Sequence, residues 1–267
     1  MSQYGRYFGF KSPPFSAEIS TKDLLKLPSM TAVKERFDYV TQGGIFVLTG
    51  EVGSGKSTSL RWSQCHFHPS QYLFINVTAT GGSLIELYRQ LCWGLNVEAK
   101  NGNRSALMKL FKTNIRDISS AKKQKIVVVI DEAHLLRSDV FAELHTATQF
   151  DHDSKNLFSM ALAGQSSLLD KLTYRTSAAL ASRVITRTHL SNLNQDQVML
   201  YLEHHLNVSG VKKQLYSPGA ITAIYKGSAG IMRRINQLAR GGLIAAAAEK
   251  VNEVSPEHIR IAATELI

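Results

Sequence analysis

The sequence is poor in the residues that would cross-link a small fold or carry a chain through a lipid bilayer. Only two of its 267 residues are cysteine, Cys65 and Cys92, too few for a disulfide framework or a cysteine-only zinc site. Both fall in apolar surroundings, so we expect buried free thiols and a reducing, cytoplasmic setting. The N-terminus lacks the apolar stretch of a signal peptide, and the apolar segment 241–248 is too short to span a bilayer.

Acidic residues are scarce relative to basic ones, with 21 Asp and Glu against 31 Lys and Arg. The formal net charge is +10 and the sequence pI is near 9.6. Such an excess slightly favours a polyanionic partner, either nucleic acid or an acidic membrane surface, over a basic surface that only maintains solubility. Hydrophobic residues make up 44% of the chain, enough to build a full core and to exclude wholesale disorder.

Short apolar runs alternate with stretches of helical periodicity up to about Leu190. The longest of them, 126–130, is continuously apolar and β-branched, which is typical of a central parallel strand covered on both faces. Strands that alternate with helices predict a parallel sheet with right-handed crossovers. The runs that we predict to be strands are 45–49, 72–77, 126–130 and 158–163.

Beyond about Leu190 the strands stop and only helical segments remain. We therefore predict a core over residues 29–190 and a small all-α domain over residues 191–267. Residues 1–28 precede the core. Their segment Tyr7–Phe15 is rich in aromatic residues and proline, so we expect an extended arm there and not a helix.

Glycine is concentrated between the first predicted strand and the helix that follows, where residues 50–57 read Gly-Glu-Val-Gly-Ser-Gly-Lys-Ser. This is the pattern of a phosphate-binding loop, in which successive backbone N–H groups and a helix N-terminus face phosphate oxygens. Lys56 is predicted to contact the β- and γ-phosphates of ATP, and the Ser57 hydroxyl to coordinate Mg²⁺. The predicted nucleotide contacts in this segment are Gly50, Glu51, Val52, Gly53, Ser54, Gly55, Lys56, Ser57 and Thr58.

The apolar run 126–130 ends in two adjacent acids, Asp131 and Glu132. Both carboxylates should lie at the carboxyl edge of the sheet, where α/β folds bind their ligands. Asp131 is predicted to be the second Mg²⁺ partner, usually through water, and Glu132 to orient or deprotonate the attacking water. Either His134 senses the nucleotide near Glu132 or it has a structural role, which we favour. Loop and acid pair together predict ATP hydrolysis.

Five segments together resemble the ExeA/GspA-type AAA+ ATPases, a group similar to the transposition helper ATPases of the TnsC, TniB, MuB and IstB kind. The resemblance implies a three-layer P-loop AAA+ core with a parallel sheet, followed by a small helical lid. It also places the aromatic arm near the adenine, although packing into a core is nearly as well supported. The segments are Tyr7–Phe15, Thr49–Ser57, Ile130–His134, Ala163–Gln165 and Gly227–Asn236.

The resemblance also implies further catalytic residues. Gln165 matches the polar sensor that contacts the γ-phosphate or the attacking water. Arg183 lies where the family places an arginine finger that is presented to a neighbouring subunit, the alternative being a surface arginine. Arg233 matches the second sensor, on the lid. Met232 stands where the family usually has proline, so Arg234 is the alternative nucleotide sensor.

Related DNA-remodelling ATPases use the segment after the second strand to track DNA phosphates, and such contacts fix position without reading sequence. By this resemblance the loop 78–82 and the basic turn beyond it are predicted to contact double-stranded DNA. For each lysine, a solvated helix face is the alternative interpretation. The predicted DNA-contacting residues are Thr80, Lys100, Arg104, Lys109 and Lys112.

The resemblance leaves three functions open. The one favoured by the sequence is an ATP-dependent regulator of DNA transposition, which forms a homo-oligomeric ring or filament on DNA and recruits or stimulates a transposase. Secretion members of the family carry a membrane-spanning segment and a further domain beyond the lid, and we expect neither in these 267 residues. The alternatives are a soluble ATPase for assembly of a secretion or cell-envelope complex, and a loader that acts in replication.

Overall fold

The computed structural model describes residues 2–99 and 102–265 of the chain. Its strands are β1 (Ile45–Gly50), β2 (Tyr72–Thr78), β3 (Lys125–Asp131), β4 (Phe158–Gly164) and β5 (Val184–Leu190). Its α-helices are α1 (Gln3–Phe8), α2 (Pro28–Val40), α3 (Lys56–Gln64), α4 (Leu84–Gly94), α5 (Arg104–Asp117), α6 (Ser138–Thr148), α7 (Ser167–Thr173), α8 (Ala178–Ala181), α9 (Gln195–Val208), α10 (Pro218–Ser228), α11 (Met232–Ala248) and α12 (Pro256–Thr264). The predicted alternation of strands and helices, followed by helices alone, is confirmed.

Two compact units make up the chain. The first, which we call the core unit, comprises Pro28–Gly50 and Lys56–Leu190. The second, the helical unit, comprises Met1–Leu27, Glu51–Gly55 and Ser191–Ile267. The aromatic arm therefore groups with the C-terminal helices, as does the tip of the glycine-rich loop.

The five strands of the core unit form one parallel sheet in the order β2-β3-β4-β1-β5. In this order β1, which leads into the glycine-rich loop, lies between β4 and β5. Strand β3, which leads into the acid pair, lies between β2 and β4. All five strands end at the same edge because they are parallel, so the residues that follow them meet there.

Helices cover both faces of this sheet, as the unbroken apolar character of β3 predicted. Val128 and Ile130 belong to a large core cluster on one face, which includes residues of α4, α5 and α6. Val127 and Val129 belong to a second cluster on the opposite face, which includes residues of α2 and α3. Successive residues of a strand point to opposite faces, so an apolar run buried on both sides produces the three-layer arrangement.

Three features of the core unit were missed or wrongly predicted. Strand β5 was not identified, since its residues alternate between more and less exposed positions instead of forming an apolar run. Helix α6 was not identified either. The prediction that both cysteines are buried is correct for Cys92 and wrong for Cys65, which is exposed just after the end of α3.

The helical unit begins with a short helix where an extended arm was expected. Helix α1 ends at Gly9, whose φ of 74° stops the helix before the prolines begin, so the expectation is wrong for the start of the arm. Residues 9–20 are not helical, and a 3₁₀ turn follows at Thr21–Asp23. Phe15 is buried and stacks on the ring of His205 in α9, with 5.2 Å between the ring centroids. The arm therefore packs into the core of this unit.

The helices of this unit begin and end at ordinary sequence signals. Helix α9 starts with a capping box formed by Asn194 and Gln197, and α10 starts with Pro218 after the cap residue Ser217. The buried Tyr216 hydroxyl donates to the carbonyl of Ala239 in α11 at 2.9 Å. Within the described residues, no helix is at once long enough and apolar enough to cross a bilayer.

Candidate nucleotide-binding site

The carboxyl edge of the core sheet brings the predicted metal-binding residues together. Asp131 is the last residue of β3, and Ser57 is the second residue of α3. The Ser57 hydroxyl donates to Asp131 Oδ2 at 2.5 Å, and Asp131 Oδ1 accepts from the backbone N–H of Glu132 at 2.9 Å. A hydroxyl and a carboxylate that converge in this way are the hard oxygen ligands that Mg²⁺ prefers, so the two residues fit the ion.

Lys56 is the first residue of α3 and is only 5% exposed. Its ammonium donates to the carbonyl of Gly50 at 3.0 Å. A buried lysine at this position is the residue that the loop pattern predicts to contact the phosphates of a nucleotide. Thr58 follows Ser57 in α3 and is half-buried.

The tip of the loop lies against the start of α11 within the helical unit. The N–H of Arg233 donates to the carbonyl of Gly53 at 3.1 Å. Gly53 and Gly55 have φ of +84° and +91°. A Cβ at Gly53 would lie 2.7 Å from Arg233 Cβ, and one at Gly55 would lie 2.9 Å from Met232 Sδ. Both positions therefore require glycine for conformation and for space. Of the two candidate sensors, Arg233 is the one with a contact to Gly53 in the described part of the chain.

Other loop residues differ in their surroundings. Val52 is 55% exposed, and the carboxylate of Glu51 accepts from the Asn192 side chain at 3.4 Å. Ser54 is 3% exposed, and its hydroxyl has no hydrogen-bond partner in the part of the chain that the structure describes. A buried hydroxyl without a partner is unfavourable, so a phosphate oxygen in the loop would relieve that cost.

Glu132 occupies an unusual backbone conformation directly after β3. Its φ is +54°, in the left-handed region that residues other than glycine rarely adopt, and its side chain is 38% exposed. A 3₁₀ turn, Ala133–Leu135, follows at once. His134 in this turn has one ring nitrogen, Nδ1, 3.3 Å from Glu132 Oε2, and the other, Nε2, 2.9 Å from the side-chain nitrogen of Gln165.

Gln165 directly follows β4, which pairs with β3. Its amide reaches the acid pair through the His134 ring. A structural role for His134 was favoured from the sequence, and its contact with Gln165 joins residues 31 positions apart, which no local pattern reveals. A second histidine that was not selected is His189 of β5, whose Nδ1 lies 3.0 Å from the hydroxyl of Thr49 in β1. It could not be selected because β5 itself was not identified.

Arg183 lies at the opposite edge of the sheet, immediately before β5. Its carbonyl accepts from the N–H of Ile45 at the start of β1, at 2.9 Å. Strand β1 then runs through Gly50 to the loop, which places Arg183 roughly 17 Å from the phosphate-binding end of that strand. The Arg183 guanidinium is 17% exposed and forms an ion pair with Asp153. Arg183 therefore cannot reach a phosphate held by the loop of its own chain.

The predicted DNA contacts have diverse surroundings. Arg104 forms an ion pair with Glu143, whereas Lys109 and Thr80 are exposed. Lys112 donates to the carbonyls of Thr146 and Gln149 at 2.8 and 2.9 Å, and desolvation by burial lowers its pKa. These two hydrogen bonds engage the Lys112 ammonium within its own chain. They therefore weaken the prediction that Lys112 contacts DNA. Lys100 lies outside the described residues.

A family model described as AAA domain matches residues 40–172 of the chain. The chain is also 30% identical over 270 residues to general secretion pathway protein A of Aeromonas hydrophila. That alignment covers 98% of this chain and 48% of the relative, so the chain spans about half the length of the curated protein that it matches.

Among solved structures, the chain is similar to the ORC2 protein of Aeropyrum pernix in its ADPNP–ADP complexes, with a TM-score of 0.74 and 15% identity over 96% of this chain and 72% of that one. It is similar also to the Aeropyrum pernix ORC1 protein in complex with DNA, with a TM-score of 0.70 and 15% identity over 94% and 68%. At such identities the likeness establishes the fold alone. Together with the loop and the acid pair, these findings identify the chain as an ATPase with the P-loop AAA fold, similar along nearly all of its length to general secretion pathway protein A.

Proposed function

We propose that this ATPase drives the assembly of a secretion or cell-envelope complex, the alternative that the sequence analysis ranked below transposition. The observation that carries the proposal is the 30% identity, along 98% of the chain, to general secretion pathway protein A. The relative is about twice as long as this chain, so the assembly step and its partners are part of the proposal.

The chemical step follows from the residues at the carboxyl edge. Backbone N–H groups of the loop and the Lys56 ammonium bind the phosphates, and Ser57 and Asp131 hold Mg²⁺. When bound, the ion neutralises charge on the phosphate oxygens. Glu132 orients the attacking water and accepts its proton, as its place beside Asp131 supports.

The ATPase is proposed to act as a homo-oligomer. Arg183 lies at the amino edge of the sheet and cannot reach the phosphate loop of its own chain. A finger at this edge can therefore stabilise the charge of a transferred phosphoryl group only in a neighbouring copy. To do so, the Arg183 guanidinium must leave Asp153 and contact that phosphate instead.

The proposal is tested by deleting the gene in its host and measuring how much of a secreted enzyme reaches the medium. We expect secretion to fall and to be restored by the wild-type gene but not by Glu132→Gln. The frequency of transposition should not change. Normal secretion in the deletion strain, with the protein demonstrably absent, would refute the proposal.

Regulation of DNA transposition, with double-stranded DNA and a transposase as partners, is the second candidate, and the observation that favours it is a cluster of exposed lysines. Lys122, Lys123 and Lys125 lie at the start of β3 and are all exposed. Clustered lysines contact DNA phosphates without regard to sequence. The bound DNA of the Aeropyrum pernix ORC1 structure belongs to a chain that is only 15% identical, so it adds little.

This second candidate is tested by binding to non-specific double-stranded DNA with ATP, with ADP and without nucleotide, across a salt series. ATP-dependent binding that weakens steeply with salt, and that is lost when Lys122 and Lys123 are changed to Glu, would support it. No binding at low salt with ATP would exclude it.

A further inference from the structure

His134 is held between the catalytic acid and the predicted sensor, with a side chain only 10% exposed. Its Nδ1 faces Glu132 Oε2 at 3.3 Å, and its Nε2 faces the side-chain nitrogen of Gln165 at 2.9 Å. Lys171 fixes the backbone by donating to the carbonyl of His134 at 2.5 Å. Gly164 allows the close approach, since a Cβ there would lie 3.2 Å from His134 Nδ1. The ring is thus fixed in place from three sides.

The two ring nitrogens constrain one another. A neutral imidazole carries one N–H and one lone pair. If the Gln165 side-chain amide donates to Nε2, the proton of the ring must be on Nδ1, where it can be donated to the carboxylate of Glu132. In this arrangement the ring holds Glu132, and Nδ1 no longer accepts from the backbone N–H of Gln165, which lies 3.4 Å away.

The same ring position satisfies a second arrangement. If the Gln165 amide is turned over, its oxygen accepts from an N–H on Nε2, and Nδ1 keeps the lone pair. That lone pair then faces the backbone N–H of Gln165 at 3.4 Å, and the ring cannot donate to Glu132. Amide orientations and imidazole tautomers are assigned from such networks of hydrogen bonds. The two arrangements differ by rotation of the Gln165 amide and by a proton exchange between the two ring nitrogens, through solvent, and the net charge of the ring does not change.

We propose that His134 is a positioning residue through which Gln165 controls the catalytic carboxylate of Glu132. The proposal rests on the proposed roles of Gln165 and Glu132 in hydrolysis. Without a γ-phosphate, the Gln165 amide donates to His134 and the ring holds Glu132. With a γ-phosphate, the Gln165 amide donates to the phosphate, its oxygen accepts from His134, and Glu132 is free to orient water. Hydrolysis by this chain is thereby tied to the presence of the γ-phosphate.

The conformation of Glu132 supports such a device. The residue has φ of +54°, a strained conformation that persists at sites where surrounding contacts over-determine it. The N–H of Leu135 donates to the Glu132 carbonyl at 2.8 Å, so the backbone is fixed independently of the carboxylate. A change at His134 should therefore alter the orientation of the carboxylate more than the path of the chain.

The test compares His134→Ala, Gln165→Ala and the double variant by ATP affinity, kcat, KM and thermal unfolding. We expect Gln165→Ala to lower kcat by about 10- to 100-fold, because no amide then draws the ring proton to Nε2 and the ring keeps its hold on Glu132. His134→Ala removes the hold, so it should keep kcat and ATP affinity within about twofold of the wild type, and in the double variant it should restore part of the turnover that Gln165→Ala loses. A double variant no more active than Gln165→Ala, or a kcat for His134→Ala lowered by about 10-fold or more, would overturn the proposal.

Two further variants separate the relay from structure and from the proposed chemistry. His134→Asn places an amide nitrogen near the position of Nδ1 and cannot reach Gln165, so it should fold normally, retain the hold on Glu132 and still show low kcat. His68→Ala, which changes an exposed histidine of the core unit, should hydrolyse ATP normally. Normal turnover by Glu132→Gln would refute the catalytic role of Glu132. A loss of turnover in Glu132→Gln but not in His134→Asn would refute only the relay.

Discussion

The carboxyl and amino edges of the core sheet carry different parts of the chemistry. At the carboxyl edge, oxygen-bearing side chains converge: the Ser57 hydroxyl lies 2.5 Å from Asp131, and Glu132 follows directly. At the amino edge, Arg183 pairs with Asp153 beside a cavity of about 230 Å³ that it helps to line. A parallel sheet separates its two edges by the length of a strand. Under the proposed function, one chain presents a nucleotide site at one edge and an arginine finger at the other, and a second copy combines them.

Lys56→Ala should have the widest effect, on binding and therefore also on turnover, because it removes the ammonium that is predicted to bind the phosphates at the carboxyl edge. We expect ATP affinity to fall by about 100-fold, the loss of charge-assisted hydrogen bonds from a buried site. Titration with a fluorescent ATP analogue measures it. Lys34→Ala, a lysine of α2 paired with Asp38 on the surface, is the control and should bind normally. Unchanged ATP affinity in Lys56→Ala would refute the assignment of this loop as the phosphate-binding site.

Glu132→Gln should separate binding from chemistry at the same edge. The amide cannot accept a proton, so kcat should fall by about 1,000-fold while ATP affinity stays within about twofold. Phosphate release and nucleotide titration measure the two effects. Glu35→Gln, on an exposed position of α2, is the control. A turnover close to that of the wild type would mean that another group activates the water.

Arg183→Ala tests the amino edge. We expect kcat to fall by about 100-fold with ATP affinity unchanged, because the arginine stabilises charge that develops only during transfer. Wild-type turnover per chain should rise with protein concentration, and that rise should disappear in the variant. Arg187→Ala, an exposed arginine of β5, should behave as the wild type does. If Arg183→Ala hydrolyses ATP normally, the arginine is only a structural partner of Asp153.

Asp153→Asn should have the smallest effect, and in the opposite direction. Losing the ion pair frees Arg183, and its partner Asp153 is 46% exposed and partly screened by solvent, so kcat at limiting protein concentration should rise by no more than about fivefold. Steady-state phosphate release measures the change. Asp151→Asn is the matched control, since Asp151 pairs with Lys155 and Arg116 instead. A fall in kcat in Asp153→Asn would mean that the pair holds Arg183 in its active position.

The carboxyl edge could be predicted from sequence far better than the amino edge. The loop and acid pair are local patterns that follow apolar strands, and burial on both faces makes those strands continuous runs. Strand β5 lies at the edge of the sheet, so its side chains alternate in exposure and give no such run. Helix α1 was missed because the prolines that argue against a helix come only after Gly9.

Long-range contacts are the part that no local pattern could predict. Lys112 was predicted from the resemblance to contact DNA, and its acceptors in the structure are the carbonyls of Thr146 and Gln149, more than 30 residues away. The role of His134 depends in the same way on Gln165. No periodicity within a segment reveals such partners, since they are set by the order of the strands.

The most direct test of the account is to mix two inactive variants. Lys56→Ala keeps Arg183 but lacks nucleotide binding, and Arg183→Ala keeps the nucleotide site but lacks the arginine. If one copy completes the site of another, the mixture should hydrolyse ATP well above the sum of the separate variants, with a maximum near equal proportions. A mixture no more active than its components would contradict the account, because it would mean that the two edges do not act across copies.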